Sequence, residues 1–98
     1  MMQLNETTYK IHQGLMRVSY TDETTPSEVA DFIRAILGVT RVTAISTEKD
    51  LNRSVFKVKI LTGKISRDAF NKVKASTIKL IPGITKVELA PRTYKIVG

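Results

Sequence analysis

The feature that most constrains this chain is an internal duplication. Met16-Arg17-Val18-Ser19-Tyr20 returns forty positions later as Phe56-Lys57-Val58-Lys59-Ile60, with apolar and polar residues alternating in both copies. Pro26-Ser27-Glu28-Val29-Ala30 returns at the same offset as Ser66-Arg67-Asp68-Ala69-Phe70. Gly38-Val39-Thr40-Arg41-Val42 returns forty-five positions on as Gly83-Ile84-Thr85-Lys86-Val87, so the second copy holds a longer middle element. Alternation at period two marks half-buried strands, and an apolar stripe at helical spacing marks the segment between them.

Each half therefore reads as strand, helix, strand. Thr25 is placed to cap the first helix, with Pro26 at its first position and Glu28 completing a capping box. Val29, Ile33, Ile36 and Leu37, helped by Ala30 and Phe32, form its apolar stripe, and Gly38 closes it. In the second half Ser66 and Asp68 open a helix whose stripe runs through Ala69, Phe70, Val73, Thr77, Leu80 and Ile81, with Pro82-Gly83 as the stop. Phe56, Val58 and Phe70 fall on the apolar sides of these segments and are expected in the core. Two β-α-β units in 98 residues close naturally as a four-stranded antiparallel sheet with both helices on one face and right-handed crossovers.

With these repeats and their two glycine corners, Gly38-Val39-Thr40-Arg41-Val42 and Pro82-Gly83-Ile84-Thr85-Lys86-Val87, the chain resembles the ferredoxin-like α/β plait superfamily over about residues 15–90. The resemblance implies an α+β βαββαβ sandwich and no activity, since many unrelated functions use that fold. We expect one domain over residues 1–98, with a core at 15–90 and terminal extensions at 1–14 and 91–98. Thr7 to His12 reads as an extra strand, which Gln13-Gly14 could turn back onto the first strand. Thr93 to Val97 reads as further strand material whose pairing the sequence leaves open.

Cysteine is absent, which removes disulfides, thiolate nucleophiles and the commonest zinc sites. Metal carriage of the kind some members of the superfamily perform, through paired cysteines in the first loop, is excluded by Thr21-Asp22-Glu23-Thr24. No run of about 18 apolar residues occurs, so no membrane partner is expected and a cytoplasmic location is. His12, the single histidine, reads as an exposed strand residue without a metal or catalytic role. The carboxylates Asp22, Glu23, Glu28 and Asp31 gather at the first helix start, where they favour its dipole. Thr62-Gly63-Lys64 lacks the remaining signature of a phosphate loop. We therefore expect no catalytic residue, no cofactor and no metal.

Charge is the remaining signal. Residues 1–52 carry five basic against seven acidic side chains, a balance of −2, whereas residues 53–98 carry eleven against two, a balance of +9. Such polarity can steer an anionic partner. Arg17, Lys57, Lys59, Arg67, Lys72, Lys74 and Lys79 are the candidate polyanion-binding residues. An RNA platform is not expected, because Phe56 falls on the core face and Val55 and Lys57 stand where bases would stack. The open sheet face should instead show Arg17, Ser19, Thr43, Ile45, Lys57 and Lys59. These readings lead to the expectation of a non-enzymatic, basic binding or assembly module that self-associates as a homo-oligomer. The alternative is an accessory protein that binds nucleic acid, or another polyanion, without regard to sequence.

Overall fold

The computed structural model describes residues 10–63 and 65–90, together with the backbone of Lys95 and Ile96. Its elements are β1 (Lys10–Tyr20), α1 (Pro26–Arg34), β2 (Val39–Glu48), β3 (Arg53–Thr62), α2 (Ser66–Leu80), β4 (Ile84–Leu89) and β5 (Lys95–Ile96), with a short 3-10 turn, Lys49–Leu51, between β2 and β3. The sheet order is β2-β3-β1-β4, every pairing is antiparallel, and β5 adds to β1. This is the ferredoxin-like α+β fold expected from the duplication.

The strands form where alternation is strongest. Met16, Val18 and Tyr20 of β1, with Phe56, Val58 and Ile60 of β3, are buried, and the two strands meet in the register Met16↔Phe56 and Val18↔Ser54. The helices cover that face with Val29, Ala30 and Ile33 from α1 and Phe70 and Val73 from α2. Phe56, Val58 and Phe70 are wholly inaccessible, as their spacing requires. Thr25 caps α1: its Oγ1 accepts the Glu28 backbone N–H at 3.3 Å and donates to Glu28 Oε1 at 3.1 Å. Gly83 has φ +79°, and a Cβ there would stand 2.6 Å from Thr21 Oγ1, so this corner excludes any side chain.

Two features depart from the sequence reading and one settles what it left open. First, β1 runs unbroken through Gln13-Gly14, with no hairpin at that point. Its ten-residue register with β3 extends from Lys10↔Thr62 to Ser19↔Arg53, and this continuous ladder satisfies backbone groups that a turn would expose. Residues 10–14 thus belong to the central strand. The strand expected over 7–12 is described only from Lys10 onward.

Second, β5 pairs His12↔Ile96 and Gln13↔Lys95. Because β3 takes the other edge of those residues, β5 continues the edge that β4 occupies from Met16 to Tyr20. Of the tail segment 93–97, the remainder lies outside the described residues. Third, α1 ends at Arg34, so the stripe continues to Ile36 but not to Leu37, which is 98% exposed. Leu37 stands past the end of α1, where helical spacing no longer dictates direction. Phe32 and Leu80 are also exposed rather than in the core, although each lies within its helix.

A candidate small-molecule cleft beside α2

The basic candidates do not form one surface. Arg17 of β1 and Lys57 and Lys59 of β3 sit on the open sheet face, in phase with half-exposed residues, while Arg67, Lys72, Lys74 and Lys79 lie on α2 in the helical layer opposite. Ser19 and Thr43 share the open face, Thr43 opposite Lys57, while Ile45 falls in the register shift between Ala44 and Ser46. Arg17 is already engaged: its Nε and Nη2 donate to Glu88 Oε1 at 3.0 and 2.8 Å, and Nη2 also donates to Oε2 at 2.8 Å. The two residues are direct cross-strand neighbours in the β1–β4 register.

These hydrogen bonds from Arg17 hold the Glu88 carboxyl below its ordinary range, with the nearby positive charge adding to the effect. Next along the sheet, Arg53 donates Nε and Nη2 to Glu48 at 3.0 and 2.8 Å, which lowers the Glu48 carboxyl and raises the Arg53 guanidinium. The Arg17 and Arg53 guanidinium groups therefore serve the sheet itself. Beside Arg17 and Glu88 a shallow groove is floored by Leu15, Val55 and Leu89.

The acidic cluster near α1 is divided among local partners. Asp22 accepts from Asn52 Nδ2 at 2.9 Å, Glu28 belongs to the cap, and Asp31 pairs with Arg34 at 2.7 Å. Among the described residues no three acidic or histidine side chains come together.

His12 lies elsewhere than expected. It is 7% exposed, on the helix-facing side of β1, and its Nδ1 is hydrogen-bonded to Ser66 Oγ at the first position of α2. The reason is parity: His12, Gly14, Met16, Val18 and Tyr20 share one face once β1 is continuous. That even-numbered alternation was the signal in the sequence, and placing a turn at Gly14 broke it. Which of the two donates depends on the imidazole tautomer.

Close to this pair opens the cleft that sequence reasoning missed. Its volume is about 400 Å³. Ile60, Leu61 and Thr62 at the end of β3 form one wall, and Ala35 to Gly38 beyond α1 form a second. The third is a face of α2, from Ala69 through Lys72, Val73 and Ser76 to Leu80. His12 faces the wall residue Ile60 in register, and Ser66 precedes the wall residue Ala69 by about one helical turn. Leu37 and Leu80, both exposed, add apolar surface to the lining. Of the seven basic candidates, Lys72 alone lines it.

No family model matches the chain, and no curated protein matches its sequence. Among solved structures the chain is similar to SnoaB, a cofactor-independent oxygenase from Streptomyces nogalater, in a point-mutant form. The likeness covers 86% of this chain and 96% of that one, at 19% identity and a TM-score of 0.40. The structural neighbour is an enzyme, contrary to the expectation of a non-enzymatic binding or assembly module and to the expectation that the chain is no enzyme. A likeness this distant transfers no activity to the present chain. No described helix is long and apolar enough to cross a membrane.

Proposed function

We propose that this domain takes up a small, largely apolar molecule in the cleft between the end of β3, the residues after α1 and the face of α2. The observation that carries this reading is the cleft itself. Ligand sites are commonly concave, mostly apolar, furnished with a few polar groups and about 300 to 1,000 Å³ in volume, and this one has about 400 Å³. Ile60, Val73 and Leu80 supply apolar wall, while Thr62, Ser76 and Lys72 supply polar atoms. The exposed Leu37 and Leu80 of the lining support the reading further, because apolar side chains in water beside a concave site mark binding surfaces more often than isolated ones do.

Calorimetric titration with 1-octanol tests it. Saturable one-site binding is expected, and Ser76→Trp, which places an indole in the cleft from a half-buried helical position, should abolish it while leaving the far-ultraviolet circular dichroism unchanged. Absence of binding to the unaltered protein, or undiminished binding to the folded tryptophan variant, would sink the proposal.

A further inference from the structure

We infer that the preferred occupant of this cleft is an amphipathic anion, a medium-length alkyl carboxylate whose head group meets Lys72 and Ser76 while its chain runs along Ile60, Val73 and Leu80. The inference rests on the small-molecule reading above and names the ligand class. Three observations support it. Among the described residues Lys72 is the sole charged residue of the lining, and none of them brings a carboxylate to oppose an incoming anion. Among the described residues Lys72 makes no ion pair, although Asp68 stands one helical turn before it, whereas Arg17, Arg34 and Arg53 are each bound to a carboxylate. Ser76 follows Lys72 by four positions on α2, so the ammonium and the hydroxyl share one side of the helix and can approach the same carboxylate.

Size sets the chain length. At about 30 Å³ for a water-sized group, 400 Å³ holds on the order of a dozen non-hydrogen atoms, the scale of an eight- to ten-carbon acid. The polar side chains do not ring the cleft but belong largely to the α2 wall, while the buried Ile60 forms apolar wall from β3. A ligand charged at one end and apolar along the rest matches that division better than a uniformly polar one.

The experiment compares octanoate with 1-octanol by calorimetric titration of the whole chain and of the variants Lys72→Gln and Lys79→Gln, the latter an exposed α2 lysine outside the lining. Octanoate should bind more tightly than 1-octanol. Lys72→Gln should weaken octanoate about three- to fivefold, the range of a solvent-exposed ion pair, and leave 1-octanol and the melting temperature unchanged. Lys79→Gln should change neither ligand. If the two ligands bind alike and Lys72→Gln alters neither, the anion inference is overturned and the cleft reading stands. If both lysine variants weaken octanoate equally, the diffuse positive field of α2 is responsible and the inference is again overturned. If neither ligand binds, both readings fall together.

Discussion

At the scale of single residues, the largest energies belong to the buried aromatic rings. Phe56 and Phe70 are wholly inaccessible and pack from opposite layers into one core. Replacing either by alanine removes its transfer energy and leaves a void, so each substitution should cost about 3 to 5 kcal/mol in urea unfolding. An unchanged unfolding midpoint would contradict the packing described. His12 poses a different problem, because its ring is buried and its Nδ1 depends on the Ser66 hydroxyl. Ser66→Ala leaves that nitrogen without its partner, and the expected loss is about 1 to 3 kcal/mol, the usual cost of an unsatisfied buried polar group. A variant as stable as the parent would show that water or another group takes the place of the hydroxyl.

At the scale of elements, the sheet is joined across β1 and β4 by Arg17 and Glu88, whose bidentate pairing spans 71 positions of sequence. Glu88 is held below its ordinary range in the folded state by the Arg17 hydrogen bonds. A carboxyl with a depressed folded pKa stabilises the fold above its unfolded pKa, about 4.3 for glutamate, and that contribution disappears as the pH falls through the lower folded value. Glu88→Gln should therefore destabilise the protein modestly at neutral pH, and the gap between variant and parent should close as the pH falls below the ordinary glutamate range. Denaturant midpoints across that range provide the measurement, and a gap that widens in acid would reverse the assigned sign. Glu48, lowered by its hydrogen bond from Arg53, should behave in the same sense.

At the scale of the whole molecule, residues 10–13 and the pair Lys95–Ile96 are built into the sheet. Lys10 to Gln13 pair with β3 along one edge, and His12 and Gln13 pair with β5 along the other. Deleting residues 1–13 removes part of a central strand together with the buried His12, so the deletion should lower thermal stability sharply. Near-native melting with an altered oligomeric mass would instead favour a detachable arm. The cleft has the same whole-molecule character, since its walls come from three separated stretches of chain. Ser76→Trp tests those walls together.

The sequence determined the two β-α-β halves, the cap at Thr25, the corners at Gly38 and Gly83, and the inward faces carrying Met16, Val18, Phe56, Val58 and Phe70. Each follows from local periodicity or from the dihedral needs of a single residue, which a short window of sequence contains. His12 was within reach by the same logic, since the even-numbered alternation of β1 passes through Gly14 without interruption. The tertiary structure alone decided that Arg17 meets Glu88, that β5 completes the edge of β1, and that Lys72 lines a cleft while Lys57 and Lys59 face away from it. Those facts depend on strand order, register and how far α1 runs before it ends, quantities fixed by packing between segments distant in sequence and therefore carried by no single segment.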